Sequence, residues 1–429
     1  MRKLALHWQI LIAIILAAFA GWLTGAEGQV FGITFVSLFD FIGTLFINAL
    51  KMLIVPLIAS SMISGMAGIG QGGGLGRLGS KTFGFYVITT MAAIMIGLFL
   101  VNAFQPGIDE NAPVAEQLAL EAGKTEVSEN LKSGGGAGDI VQIFVRMIPT
   151  NIVDSASSNG AILSVIFFSL LFGYFMTKID DEYAEPQYRF WQGLFQIMMK
   201  ITELIMKFAP IGVFGLVAET VATTGFASAG PLLAFSLVVL GALLFHALVT
   251  LPLMLKFIAG VSPLAMYQAM APALLTAFST ASSSATLPVT MDCVEKNAGV
   301  SNRTSSFVLP LGATVNMNGT ALYECVAVIF LAQAYGASLG FDTQFIIVVT
   351  ALLTSIGVAG IPSASLVAIV VILNTVGLPA EAVGVLFVFD RILDMARTAI
   401  NVFGDSVCAV IVAKLEGEEG VFAEPKPAT

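Results

Sequence analysis

Two stretches decide how this chain must be built: Thr276-Ala277-Phe278-Ser279-Thr280-Ala281-Ser282-Ser283-Ser284-Ala285-Thr286-Leu287-Pro288 and Ser355-Ile356-Gly357-Val358-Ala359-Gly360-Ile361-Pro362-Ser363-Ala364-Ser365. Each lies between two half-length apolar segments. Neither could cross lipid as a regular helix without exposing polar groups. Non-helical backbone at membrane depth persists only where protein or a watery cavity surrounds it. Both stretches are therefore read as helical hairpins that enter and leave on the same side. Their matching places, hairpin then helix, twice, suggest an inverted repeat, and paired broken segments of this kind point to a binding site near the bilayer midplane. The bland reading, two extracytoplasmic loops rich in small residues, no longer matches the positive charges described next.

The rest of the chain sets these hairpins in a membrane. Of 429 residues 57% are hydrophobic and only 11% charged, where a soluble domain carries about 25% charged residues. Too little polar surface is left to face water on all sides, so the solvent must be mostly lipid. Apolar segments of spanning length fall near 8–25, 35–66, 82–104, 141–177, 190–222 and 230–255. The first, behind Met1-Arg2-Lys3, resembles a signal peptide, but it runs on through Trp22 and Leu23 and reads better as a first transmembrane helix. Arg2 and Lys3, Arg77 and Lys81, Lys178 and Arg189, Lys256, Lys296 and Arg303, and Lys414 fall at alternate loops. Those loops are read as cytoplasmic, with both chain ends inside. The opposite side holds the longest polar loop, about 105–140, whose composition reads as a flexible linker. The acidic tail from Glu416 to Thr429 reads as disordered. A net charge of −9 argues against nucleic acid, which needs a basic footprint. Cys293, Cys325 and Cys408 have no CxxC spacing, and His7 and His246 are the only histidines, so disulfide, metal and triad chemistry have little material.

Polar residues then mark candidate sites. From Asp390 to Asp405 the chain reads as one helix, and at roughly 100° per residue Asp390, Asp394, Arg397, Asn401 and Asp405 share an arc of about 80°. Charges inside a membrane cost several kcal/mol unless paired or hydrated, and by default they mark function. Internal ion pairs, Asp394 to Arg397 and Arg391 to Asp390, are the structural alternative, which leaves Asn401 and Asp405 unexplained. A second break, Gly312-Ala313-Thr314-Val315-Asn316-Met317-Asn318-Gly319-Thr320, interrupts the preceding membrane helix. Its amide and hydroxyl oxygens, with carbonyls freed by an unwound turn, are hard donors suited to Na⁺. Glu324 follows one turn after Thr320 in an apolar run, and is either a proton carrier or the partner of a basic residue on another helix.

At these residues the sequence resembles the dicarboxylate/amino acid:cation symporter family, which includes archaeal sodium/aspartate transporters, bacterial glutamate and dicarboxylate symporters and the vertebrate excitatory amino acid transporters. The resemblance runs from the first helix to Lys414. It is carried by Ser282-Ser283-Ser284, Asn316-Met317-Asn318-Gly319-Thr320, Gly360-Ile361-Pro362 and the run from Asp390 to Asp405. It implies an all-α membrane protein of eight transmembrane helices and two re-entrant hairpins, a homotrimer in the inner membrane whose transport domain moves against a scaffold. Residues 1–255 would form six helices, the third and sixth joining the transport domain; residues 256–414 would form the core of hairpin, helix, hairpin, helix; residues 415–429 would form a cytoplasmic tail. The implied cargo is glutamate or aspartate with Na⁺ and a proton, without an organic cofactor. By resemblance Arg397 faces the substrate's side-chain carboxylate, to which a planar guanidinium can bind bidentately. Asp394 faces its ammonium. Ser283, Thr320, Gly360, Ile361, Thr398 and Asn401 complete the pocket. One sodium site resembles Asn316, Asn401 and Asp405 with a carbonyl of Gly312. A second uses carbonyls of Thr314, Ser355, Ile356 and Val358 beside Met317. A third uses Tyr86, Thr89, Thr90, Asn316 and position 318. Asn318 stands where sodium-coupled members usually have Asp, which weakens that third site. Ser363 and Ser365 stand in the second hairpin where Gly is common. Asp405 is kept where proton-driven relatives tend to carry Asn, and Asp394 where dicarboxylate carriers tend to lack the acid. Glu324 matches a position linked with proton co-transport. A C4-dicarboxylate/H⁺ symporter and, further off, an ion channel are the alternative readings. An intramembrane serine hydrolase fails because Ser283 has no plausible base, so the chain is not read as an enzyme.

Overall fold

The computed structural model describes residues 6–71, 77–109, 112–118, 120, 145, 148–157, 162–226, 229–337, 339–357 and 364–422. Helices dominate. The first half is built from α1 (Leu6–Thr24), α2 (Phe35–Gln71), α3 (Arg77–Phe104), a short α4 (Ile152–Ser157), α5 (Ile162–Met176), α6 (Asp181–Lys207) and α7 (Ala209–Thr224). It closes with α8 (Ala229–Ala259), which contains π-helical turns at His246–Thr250 and Leu255–Ala259. Two-residue strands pair antiparallel at β1 (Gln29–Val30) with β2 (Ile33–Thr34) and at β3 (Ile108–Asp109) with β4 (Ala112–Pro113). The second half runs α9 (Pro263–Thr280), α10 (Ser283–Asp292), α11 (Asn302–Val315), α12 (Asn318–Ala334), α13 (Phe341–Gly357), α14 (Ala364–Thr375) and α15 (Phe387–Leu415).

Chain chemistry explains where these helices stop. The long apolar segment at 190–222 is two helices, α6 and α7, because Pro210 opens the second at its first turn, where its missing N–H costs nothing. Between α9 and α10 the chain turns at Ala281 (φ 48°) and Ser282. Ser282 is extended, and its hydroxyl accepts the Ala285 N–H at 3.2 Å, an N-cap for α10. Both helices pack on one another and on α15, as the first hairpin requires. The second pair, α13 and α14, is also in contact. Its tip, with Val358, Gly360, Ile361 and Ser363, lies outside the described residues. Among the described residues four helices are long and apolar enough to cross a membrane, at 78–104, 229–259, 302–334 and 380–415. Of the other expected spans, α1 (19 residues) and α2 (37 residues) are continuous apolar helices, and α5 is shorter, at 15 residues.

The molecule has two kinds of neighbourhood. In one, α1 lies along α7, and α2 lies along α5, α6 and α7. In the other, α12 is wrapped by α3, α8, α13, α14 and α15, and every one of its residues is buried.

Two expectations are corrected. The segment after α3 does not begin as a free linker. Gly107 N–H donates to Gln333 Oε1 at 3.2 Å, and Gln333 Nε2 donates to the Val101 carbonyl at 3.1 Å. Val114, Ala115, Leu118 and Leu120 are buried in the main core. The polar composition hid four apolar anchors; residues 121–144 lie outside the described residues. Nor is the tail loose at its start. Lys81 Nζ donates to the Leu415 carbonyl at 2.8 Å and to Glu416 Oε1 at 2.6 Å. Glu418 accepts from the Ser301 N–H (2.8 Å), the Ser301 hydroxyl (2.7 Å) and the Thr304 hydroxyl (2.5 Å). Val421 is buried, and Phe422 N–H donates to the Ala298 carbonyl at 2.9 Å. Partial burial works against the Glu418 charge, but the hydrogen bonds from Thr304 and Ser301 outweigh it and hold the carboxyl below its usual range. The acid therefore supplements the N-cap of α11.

Candidate functional site

The site begins with a helix that has been cut. α11 ends at Val315 and α12 starts at Asn318. Between them Asn316 (φ −102°, ψ 70°) and Met317 (φ −97°, ψ 56°) leave the helical region. The break expected over 312–320 is confined to these two residues. A cut helix leaves N–H groups of its new first turn without intrahelical acceptors. Asn401, from α15, takes them: its Oδ1 accepts the N–H of Gly319 at 2.8 Å and of Thr320 at 3.4 Å. Its Nδ2 donates to Thr320 Oγ1 at 3.0 Å and approaches Met317 Sδ at 3.4 Å. One amide thus fastens α12 to α15 across the break. Gly319 allows this approach, because a Cβ there would sit 2.9 Å from the Arg397 carbonyl.

On the α11 side of the break, Asn316 is fully buried. Its Nδ2 donates to Asp405 Oδ1 at 2.8 Å, and its Oδ1 accepts the hydroxyls of Thr89 and Thr90, on α3, at 3.3 and 3.4 Å. Gly312 leaves room beside Asp405, since a Cβ there would stand 2.6 Å from Asp405 Oδ1 and 2.8 Å from the Tyr86 hydroxyl. Tyr86 itself donates to the Val308 carbonyl at 2.6 Å. Asp405 is buried, and no ion pair reaches it among the described residues. A carboxylate held in low dielectric without a cation is costly. Asp405, Asn316, Thr89 and Thr90 form one hydrogen-bonded chain of hard-oxygen side chains, residue types that suit a small cation such as Na⁺.

On the other side of the break lies Arg397, the largest fully buried side chain. Its Nη2 donates to Asp390 Oδ1 at 3.0 Å and to Asp394 Oδ1 at 2.9 Å. Its guanidinium carbon lies 3.8 Å from the centroid of the Tyr323 ring. Among the described residues the Arg397 Nε and Nη1 have no hydrogen-bond partner. A guanidinium carries five donors, so a fully buried one with two idle nitrogens is prepared for an incoming acceptor. Ser283 and Thr398 are buried on the helices that frame it.

The remaining expected positions are less uniform. Thr314 is half-buried and bonded to the Leu311 carbonyl, and Ser355 is buried and bonded to the Leu352 carbonyl. Ile356 is half-buried at the end of α13, and Met317 is buried in the break. The set that would bring them together also needs Val358, outside the described residues. Asn318 is buried; its Oδ1 accepts the adjacent Gly319 N–H at 2.9 Å, and its Nδ2 has no partner. Gly404 makes room for that amide, as a Cβ there would overlap Asn318 Nδ2. Glu324 is buried, with Oε2 accepting the Thr354 hydroxyl at 2.8 Å and Oε1 unpartnered. Its partner is therefore a hydroxyl on α13, and no ion pair of Glu324 occurs among the described residues.

With this geometry in place, the relatives can be set beside it. Residues 6–415 match the model of the Sodium:dicarboxylate symporter family. The chain belongs to that family. It is 36% identical over 416 residues to the "Proton/glutamate-aspartate symporter" of Escherichia coli, covering 96% of this chain and 93% of that protein. It is 37% identical over 418 residues to the "Proton/sodium-glutamate symport protein" of Bacillus caldotenax, covering 97% and 96%. It is 33% identical over 459 residues to mouse "Excitatory amino acid transporter 3", covering 97% and 87%.

For this sodium:dicarboxylate symporter family member, sequence reasoning passed over three features of the cluster. Tyr323 was hidden as one more aromatic in an apolar run, although it follows Thr320 by three residues and so shares its face. Thr354 gave no signal, since a lone Thr in a helix is usually bonded to its own backbone. Asn401 was read as a ligand, and its place across the helix break was not legible before the break was.

Proposed function

We propose that the protein is a multi-pass membrane symporter importing an acidic amino acid, glutamate or aspartate, coupled to Na⁺ with a proton as a second coupled cation. The observation that carries this reading is the buried Arg397, shared between Asp390 and Asp394 with two nitrogens idle, one helical turn from Asn401 and two from Asp405. Anion recognition and cation recognition are thereby adjacent on one helix. An acidic amino acid supplies a side-chain carboxylate for Arg397 and an ammonium for Asp394. Ser283, Thr320, Thr398 and Asn401, with Gly360 and Ile361 of the second hairpin, form the rest of the pocket. Cation entry at Asn316, Asp405 and Gly312 neutralises the Asp405 carboxylate. The same Asn316 and Asn401 contact both ends of the break, so ion binding and the shape of the substrate pocket are mechanically joined. A second cation is assigned to the Thr314, Met317, Ser355, Ile356 and Val358 group; the Tyr86, Thr89, Thr90 and Asn318 group is the weakened third candidate.

Burial at Asn318 without a carboxylate disfavours a cation there, so two sodium sites operate and Glu324, facing only a hydroxyl, carries the proton. The names of the bacterial relatives, which pair glutamate with a proton and in one case also with sodium, support coupling to both cations. Within this reading the protein has eight transmembrane helices and two re-entrant hairpins, forms a homotrimer, keeps both termini in the cytoplasm of a cell with the protein in its inner membrane, and moves the substrate by sliding its C-terminal core. Uptake of labelled aspartate and glutamate into proteoliposomes, with Na⁺, H⁺ and K⁺ gradients imposed separately, tests it. Concentrative uptake driven by Na⁺, at about two ions per substrate from reversal potentials, is expected. Glu324→Gln should remove the pH dependence. Succinate uptake driven by protons alone would favour the C4-dicarboxylate carrier instead, and passive flux without accumulation would favour a channel.

A further inference from the structure

A second buried guanidinium stands beside the first. Arg391 is only 9% exposed, and its Nη1 lies 3.8 Å from Asp394 Oδ2. That is inside ion-pair range and outside hydrogen-bond range. Among the described residues the Arg391 Nε and Nη1 have no hydrogen-bond partner. The other Asp394 oxygen accepts from Arg397. Asp394 therefore lies between two guanidiniums, one at each oxygen. Helical spacing puts Arg391, Asp394 and Thr398 at i, i+3 and i+7, one row along α15. Ile392, the next residue, is 50% exposed, so Arg391 sits where the polar stripe meets the open flank of the helix.

The two guanidiniums have different contacts. Arg397 is held by two carboxylates and an aromatic ring. Among the described residues Arg391 makes one long ion pair. A positive charge this close competes with any other cation for Asp394. On the reading above, that other cation is the ammonium of the substrate. Arg391 then weakens the hold of Asp394 on an ammonium and, by the same charge, favours a ligand that brings only carboxylates. We propose that Arg391 is a specificity-determining residue that acts through Asp394, limiting the preference of the site for 2-amino dicarboxylates over dicarboxylates that lack the amine.

The inference rests on Asp394 receiving the ammonium, and the experiment separates the two. Aspartate and succinate differ by the amine alone. Each is titrated as a competitor of labelled aspartate in proteoliposomes holding the full-length wild type, Arg391→Met, Arg391→Lys, Asp394→Asn and the double variant. The ratio of the two affinities is internal to each preparation, so it does not depend on how much protein folds, and Arg391→Gln replaces Arg391→Met should the latter not insert. The expected result is a ratio about tenfold further toward aspartate in Arg391→Met, a ratio near wild type in Arg391→Lys, and no effect of Arg391→Met once Asp394 is Asn. A shift that persists in the Asp394→Asn background, or a ratio unmoved by Arg391→Met while Asp394→Asn collapses it, overturns the role of Arg391 alone. An unchanged ratio in Asp394→Asn by itself overturns the assignment of the ammonium, and the role of Arg391 with it.

Discussion

The spans at 78–104 and 229–259 are the most apolar of the four long helices, yet only 39% and 44% of their most hydrophobic windows are buried in protein. The spans at 302–334 and 380–415 are less apolar, and 100% and 83% of theirs are buried. A water-soluble protein shows the reverse order. The inversion follows from the solvent. Lipid accepts Phe99, Leu233, Leu237 and Leu244, all exposed, at no cost, so nothing drives them inward. Asp390, Asp394, Arg397, Asn316 and Asp405 must instead be kept out of hydrocarbon. In this molecule the inside is chosen by polarity, and the apolar helices serve as its wall.

The comparison breaks first at Arg397. Replacing it by Cys removes the guanidinium that Asp390 and Asp394 share, and leaves a substrate carboxylate unpaired. The expected loss is about 3–5 kcal/mol, or roughly two to nearly four orders of magnitude in affinity for aspartate and glutamate, with small neutral amino acids gaining access. Binding titrations in detergent measure it, and undiminished affinity for aspartate would remove Arg397 from the pocket.

Packing comes next. Gly404→Ala pushes a methyl into the Asn318 amide, and overpacking of a tight core costs about 1–3 kcal/mol. The same substitution at Gly65, which has open space around it, is the control. Thermal unfolding should separate the two by several degrees.

A pair of truncations sharpens the contrast between the walls and the centre. Leu331, on α12, is fully buried, and Leu237, on α8, is 60% exposed. With lipid as solvent the transfer part of a Leu→Ala cost largely cancels and the cavity part remains, about 1–3 kcal/mol for Leu331→Ala. Leu237→Ala leaves no cavity and should stay within about 0.5 kcal/mol. Equal destabilisation would mean that Leu237 meets protein, and the wall would then be an interface between copies.

The smallest effect is expected at the tail. Glu418 has its carboxyl held below the usual range in the folded protein. A depressed folded value means that the contribution to stability is complete above the ordinary carboxylate value and falls as pH drops through the folded one. After allowing for exposure to solvent, the contribution is about 1 kcal/mol. Protease cleavage after Lys414 should accelerate below about pH 4 in wild type. In Glu418→Ala it should be fast at neutral pH and insensitive to that change. A wild-type tail equally resistant at both pH values would rule out the carboxylate as its fastening.

What the sequence made legible was whatever interrupts an apolar run. The Ser282 turn, the break at Asn316 and Met317 and the polar row on α15 are all interruptions, and all three are in the structure. Contacts that join ordinary-looking residues were not legible. Tyr323 stacks on Arg397 but reads as one more apolar position. Thr354 bonds Glu324 across two helices, a pairing that depends on how α12 and α13 meet. Residues 105–120 and 416–422 have the composition of free loops, and composition does not disclose that Gly107 and Glu418 meet Gln333 and Ser301. Those contacts depend on tertiary neighbours far along the chain.

The grip of Glu418 on Ser301 also sets a timetable. These residues are 117 positions apart, and at 5–20 residues per second synthesis needs roughly 6–23 s to cover that distance. Through most of that interval α11 has emerged without the acid that supplements its cap, and neither Asp405 nor Asn401 has yet been made to meet Asn316 and Gly319. The polar centre is assembled late, when α15 leaves the ribosome, so whatever shelters the half-built core from lipid until then must be the earlier helices or the insertion machinery.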